Sequence, residues 1–252
     1  MESKTVHAIV LRRRDAGESD RRLTLLTLEE GKIDSVAKGA RKSGSRLAGA
    51  SEPLVATVLQ LAPGKRNSFI TQSQPQTSYP GLRKDYERLT FAIALAELYE
   101  ALLPYQEPFP EAYQLLLASL QALQSHEKPK VAFVWAQVAL LGVTGFLPQF
   151  SECVQTGQPV QEALPFLSPT AGGYVVADRA LYLHDRFQAR AEVLYGLSRM
   201  AELGDAPPNL RHAEEALIAL FPFWRQIADR PLPGLESCVN EVKQELNGPT
   251  VK

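Results

Sequence analysis

GKIDSVAKGARKSGSR, residues 31–46, is a strand that runs into a basic, glycine-rich loop. Its first half alternates, with Ile33, Ser35 and Ala37 on one side and Lys32, Asp34, Val36 and Lys38 on the other. That is the period of a β-strand, and it places the lysines on a common outer face. Five cations (Lys32, Lys38, Arg41, Lys42 and Arg46) stand against one acid, Asp34. Gly39 and Gly44 let the backbone approach a ligand closely. A nucleotide-binding phosphate loop requires Lys and then Ser or Thr directly after its second glycine. Ser45 and Arg46 follow Gly44 here, so the loop suits a nucleic-acid backbone better than a bound nucleotide. The competing reading is a solvated surface loop.

The flanking sequence supplies more strands. TVHAIVLRRR (5–14) is a β-rich run that ends in three arginines, DAGESD (15–20) is turn chemistry, and RRLTLLTLEEG (21–31) resumes a strand closed by glycine. LVATVLQL (54–61) and NSFITQSQ (67–74) follow, separated by a Pro-Gly turn. Five short strands predict a small closed barrel of the OB-fold type, with an SH3-like barrel as the other five-stranded possibility. OB-folds bind oligonucleotides with the loops after strands 1 and 4. On this register Arg12, Arg13, Arg14, Arg21 and Arg22 flank the first loop, and Lys65 and Arg66 lie in the second.

Charge is divided along the chain. Residues 1–84 hold 15 Lys and Arg against 8 Asp and Glu, and the other 168 residues hold 12 against 20, although the net charge is only −1. A basic N-terminal module suits phosphates, whereas the acidic remainder suits packing or protein partners. Beyond residue 81 the period becomes helical. Helices are predicted at Asp85–Leu103, with Leu89, Ile93 and Ala96 as its stripe, at Glu111–Gln124, with Leu116, Leu120 and Leu123 as its stripe, and at Pro129–Leu141. These three should form the core of a second domain. An irregular insertion at about 145–182 follows, then helices at Asp185–Met200, at Asn209–Ile227 with a kink or break at Pro222, and near Leu235–Leu246. The expected organisation is α+β and multidomain: an OB-fold barrel over 1–80 and a helical domain over 81–252.

MESKTVHAIV carries an acid and no apolar run of signal-peptide length, and the most apolar run, Val131–Val143, is too short to span a bilayer. Cys153 and Cys238 make no disulfide framework. A cytoplasmic, nucleoid-associated protein is expected. The four histidines are scattered, no GxSxG, HExxH or Rossmann fingerprint is present, and no paired cysteine motif could hold zinc. An enzyme acting on nucleic acid would need an acid cluster for metal, and the barrel sequence has none. Binding, not catalysis, is the expected activity. The alternative is a non-catalytic adaptor whose basic barrel docks an acidic protein.

The run Val10-Leu11, Gly17-Glu18-Ser19-Asp20, Leu25-Leu26-Thr27, Gly31-Lys32 and Val36-Ala37-Lys38-Gly39-Ala40-Arg41 resembles the RecO family of recombination mediators, as do Leu140-Leu141-Gly142 through Pro148 and Gly234-Leu235-Glu236-Ser237. The resemblance implies an OB-fold followed by a helical domain, binding of single- and double-stranded DNA, strand annealing, contact with RecR and with the tail of the single-strand-binding protein SSB, and help in loading RecA. No cofactor is implied. Many members of the family carry a four-cysteine zinc module in the helical domain. Here Cys153-Val154-Gln155-Thr156-Gly157 keeps only the first cysteine, and YVVADRA after Gly172-Gly173 has no Cys or His, so no metal is predicted. Phe69 and Tyr79 are the only Phe, Trp or Tyr in residues 1–84. With Phe69 expected in the core and Tyr79 in the linker, base stacking should add little. Phosphate contacts should dominate, giving steep salt dependence, little base preference and duplex binding as well.

Overall fold

The computed structural model describes residues 3–64 and 67–248. Five strands, β1 (Lys4–Ala16), β2 (Asp20–Thr27), β3 (Gly31–Ala37), β4 (Ala56–Ala62) and β5 (Ser68–Thr77), close a barrel in the order β1-β2-β3-β5-β4, with β4 returning to β1. The closure is parallel between β3 and β5 and antiparallel elsewhere. The interior is filled by alternate residues, among them Val6, Ala8 and Val10 of β1, Leu23 and Leu25 of β2, Ile33 and Ala37 of β3, and Leu59, Leu61 and Ile70. A four-residue helix between β3 and β4, α1 (Leu47–Ala50), adds Leu47 to this core.

A bulge decides which way the arginines of β1 point. Val10 is opposite Leu25, but Arg12 is opposite Thr24, so Leu11 is the extra residue. The bulge is held from the segment after α1: Leu54 N–H donates to Val10 O at 2.8 Å, and Val10 N–H donates to Val55 O at 3.1 Å. Beyond it Arg12 and Arg14 share the outer face with Thr24 and Arg22, while Arg13 takes the inward phase opposite Leu23.

Part of the outer face is covered by α2 (Tyr86–Leu102), which packs on β1 and is followed by α3 (Pro110–Ser125). Asp85 caps α2 by accepting from Arg88 N–H at 3.0 Å. The expected stripe of α2 is corrected in part: Ala96 is buried and Leu89 half-buried, but Ile93 is 40% exposed, and the buried residues include Phe91, Leu95, Leu98 and Tyr99. Apolar side chains go nearly round this helix, so spacing alone could not choose its inner face. In α3, Leu116, Leu120 and Leu123 are all buried as expected. The loop between these helices passes over the start of β3. Gly31 has φ +68°, and a Cβ there would collide with the backbone of Glu107, so two independent constraints require glycine.

The chain divides into two compact units, Met1–Gln124 and Ser125–Lys252. α2 and α3 therefore belong with the barrel, and the helix that follows, α4 (Pro129–Val143), belongs to the second unit. There α4 is the central element, with Phe133, Trp135 and Leu141 buried, and it packs on α6 (Ala191–Met200) and α7 (Ala213–Ile227); α8 (Pro233–Leu246) packs on α7. α6 and α7 start later than the sequence suggested. α7 runs through Pro222 unbroken, with Phe223 and Trp224 buried immediately after it.

The insertion is ordered. It runs on past residue 182 into the stretch expected as helix, and contains a three-stranded sheet of β6 (Phe166–Ser168), β7 (Gly173–Val175) and β8 (Phe187–Gln188), in the order β7-β6-β8, and a short helix α5 (Ala177–Ala180) between β7 and β8. Hydrogen bonds hold it. The Tyr174 hydroxyl donates to Glu162 at 2.6 Å, Ser168 Oγ donates to Asp185 at 2.7 Å, and Thr170 N–H donates to Asp185 at 2.7 Å. Burial raises the Asp185 carboxyl, but these donors outweigh it and hold the group below its ordinary range. Buried Cys153 behaves likewise: burial raises the thiol, and bonds from the Thr156 hydroxyl and the Val176, Gln155 and Thr156 amides bring it lower. Edge-on contacts of Phe150 and Phe187 with Phe223 of α7, at 6.0 and 6.1 Å between centroids, seat the insertion on the helices.

Candidate nucleic-acid interface

The cations singled out in the sequence fall into two groups. The first is engaged within the fold. Arg12 pairs with Glu100 of α2 at 2.5 Å, and that carboxylate is only 4% exposed. Arg21 donates to Ala48 O at 3.0 Å, Ser51 Oγ at 2.7 Å and Glu52 at 3.0 Å, and Arg13 pairs with the same Glu52, so both arginines clamp the segment around α1 at the barrel mouth. Lys32 is 5% exposed, donates to Glu100 O at 2.5 Å and stands 4.4 Å from the centroid of the Tyr105 ring. These side chains fix structure.

The second group is exposed. Arg14 and Arg22 are directly opposite each other across β1 and β2 on the outer face, and among the described residues neither guanidinium is paired. Two like charges at this spacing repel, a cost that an intervening anion removes. Next along the same face lies Lys38, whose ammonium is 4.1 Å from the centroid of Phe69. Exposed Lys42 and Arg46 follow in the basic loop. That loop is tied to the β1–β2 turn, since Gly39 N–H donates to Asp20 at 2.7 Å, Arg41 N–H donates to Ser19 O at 2.9 Å, and the Arg41 guanidinium reaches Gly17 O and Asp15. Arg41 is thus exposed but partly engaged. Lys65 and Arg66 lie outside the described residues.

Phe69 is corrected. It is half-buried on the outer face, opposite Val36 in the parallel β3–β5 pairing, while Ile70 takes the core position. The aromatic surface of the first unit is therefore larger than the sequence suggested, and Tyr105, from the loop after α2, adds to it at 49% exposure. Only the non-local pairing of β3 with β5 reveals this.

In the second unit a cleft of about 430 Å³ is lined by Pro169, Asp185, Phe221, Pro222, Arg225 and Lys243. Its cations, Arg225 and Lys243, are exposed, and the Arg225 guanidinium is 5.9 Å from the centroid of Phe221. None of its residues was among the binding residues expected from the sequence, because its walls come from the insertion, α7 and α8. Among the described residues no helix is long and apolar enough to cross a membrane.

Family models match nearly the whole chain: "Recombination protein O N terminal" over residues 1–79 and "Recombination protein O C terminal" over residues 83–236. Proteins named DNA repair protein RecO are similar to it. One from Roseiflexus sp. is 39% identical over 173 residues, covering 69% of this chain and 61% of the relative. One from Heliobacterium modesticaldum is 39% identical over 172 residues, covering 67% and 62%. A third, from Gloeobacter violaceus, is 33% identical over 216 residues, covering 83% and 82%. The match to the first two spans less than two thirds of their length.

Proposed function

The chain belongs to the RecO family, and on that premise we propose that it is a recombination mediator that holds single- and double-stranded DNA by the phosphates, without catalytic turnover. One observation carries the reading: Arg14 and Arg22 face each other, exposed and unpaired among the described residues, with Lys38, Lys42 and Arg46 exposed in the basic loop that follows the neighbouring strand β3. A fold that keeps like charges side by side, while pairing Arg12, Arg13 and Arg21 with carboxylates, has left them for an anion from outside. The two opposed guanidiniums can each take a phosphate oxygen. A strand held this way keeps its bases free to pair, which is what annealing requires.

The test is a salt series on single strands and duplex. Each phosphate contact should contribute about −0.7 to the log–log slope on single strands and about −0.9 on duplex. With four or five exposed cations, slopes of roughly −3 and −4 are expected. A slope near zero on both would overturn the reading and favour the alternative, an acidic protein docked on the barrel.

The mediator role further requires partners: a RecR-like protein, the SSB tail and, through them, RecA. For the SSB tail, an acidic peptide ending in an apolar residue, we place the contact at the cleft of the second unit. Phe221 and Pro222 offer it an apolar wall, and Arg225 and Lys243 offer it charge. Asp185 also lines this cleft, but its oxygens are taken by Ser168 and Thr170. Arg225→Glu with Lys243→Glu is expected to weaken binding of such a peptide at least tenfold while leaving DNA affinity unchanged. Peptide titration by fluorescence anisotropy checks this, and unchanged peptide affinity would move the site.

A further inference from the structure

The barrel is open along part of one seam. β3 meets β5 only at Ser35 opposite Ser68 and Val36 opposite Phe69. Where the pairing is missing, Ile33 and Asp34 face a cavity of about 560 Å³, a size that takes small organic groups. Leu61 and Pro63 give it an apolar wall, and Tyr105 stands in the loop whose Gln106 N–H donates to Lys32 O at 2.9 Å.

Its neighbours place it beside the basic face. Gly64, at the rim, lies so close to Phe69 that a Cβ on it would collide with the ring, and the same ring carries the Lys38 ammonium. Among the described residues that line it, acids outnumber cations, Glu30 and Asp34 against Lys4. Glu30 is paired with Lys4 at 2.5 Å, but among the described residues no cation pairs with Asp34, whose Oδ1 accepts from Thr24 Oγ1 at 3.0 Å and from the Tyr105 hydroxyl at 3.5 Å, while no described donor takes Oδ2. A phosphate beside Asp34 would be repelled, so the part of a bound strand that suits this carboxylate is its neutral part. An apolar wall with a half-exposed tyrosine ring favours a flat heteroaromatic group. An ionised carboxylate only accepts hydrogen bonds, so it favours a ring that bears an amino group.

We propose that this cavity receives one nucleobase from a bound single strand, and that Asp34 selects a base with an exocyclic amino group, cytosine over thymine. The proposal rests on the DNA-binding reading above and adds a base contact to it, in place of the indifference to sequence that scarce aromatics suggested.

The experiment compares the full chain on oligo-dC and oligo-dT of equal length at a salt concentration where phosphate contacts are weakened. Wild type should prefer oligo-dC roughly fivefold, the scale of one base-edge contact. Asp34→Asn replaces one acceptor oxygen with a donor that suits thymine O4, and it should abolish or reverse the preference. Tyr105→Leu, on an exposed loop, should weaken both complexes a few-fold and serves if Asp34→Asn fails to fold. Equal affinity of wild type for the two oligonucleotides, or full binding by Tyr105→Leu, overturns the proposal alone. Failure of both oligonucleotides to bind even at low salt overturns the DNA-binding reading and this proposal with it.

Discussion

Reversing the charge of Arg14 alone should make the barrel more stable and the protein a weaker binder of DNA. Arg14→Glu converts a repelling cross-strand pair with Arg22 into an attracting one, worth about 0.5 kcal/mol at an exposed position. Arg14→Glu with Arg22→Glu restores a like-charge pair of opposite sign, so stability should fall back toward wild type. Affinity should decline at each step. Losing two charged phosphate contacts should cost the double variant on the order of 100-fold at about 0.1 M salt, with the single-strand slope shallower by about 1.4. Stability that rises and falls while affinity only falls separates a binding defect from a folding defect. Thermal melts and anisotropy titrations on the same preparations check it, and wild-type affinity in the double variant would remove these arginines from the interface.

Two residues earlier the expectation inverts. Arg12→Ala should cost the first unit on the order of 2–3 kcal/mol, because it leaves the Glu100 carboxylate, 4% exposed, without its guanidinium. The figure is below that for a fully buried pair, since Arg12 is itself 35% exposed and solvent shares its charge. DNA affinity of the folded fraction should stay within about twofold, since the contribution of an engaged guanidinium to phosphate binding is small. Urea unfolding followed by DNA titration below the transition tests both halves. A large loss of affinity with unchanged stability would return Arg12 to the DNA surface.

The contrast between Arg12 and Arg14 marks the limit of what the sequence made legible. The barrel could be read from local signals: the alternation that puts Ile33, Ser35 and Ala37 inward, the turn residues, and the concentration of cations in the first third of the chain. α3 could be read the same way, because its leucines lie on one stripe. What could not be read depends on residues far apart in the chain. Arg12 is engaged because Glu100 stands on α2, and Arg13 and Arg21 because Glu52 follows α1. Phe69 is at the surface because β3 closes on β5 in parallel, a pairing with no local signature. The insertion was legible only as an irregular stretch. Its strands are two or three residues long, too short to show a period, and side-chain hydrogen bonds hold it together.

The bulge at Leu11 has a consequence for how this strand tolerates mutation. Val6, Ala8 and Val10 occupy the inward phase, so an uninterrupted strand would turn Arg12 and Arg14 inward and Arg13 outward. Loss of the single codon for Leu11 would remove only the extra residue and leave Arg12 opposite Thr24 and Arg14 opposite Arg22, whereas gain of one codon beside it would, with no arginine itself altered, drive Arg14 toward an apolar interior and take Arg12 from Glu100. The N-terminal strand should accept exchanges of side chain at many positions and the loss of Leu11 itself, yet purge single-residue insertions between Val10 and Arg14. A library of substitutions, deletions and insertions, selected for survival of DNA damage, would display that asymmetry as a gap in insertions where point variants and the Leu11 deletion persist.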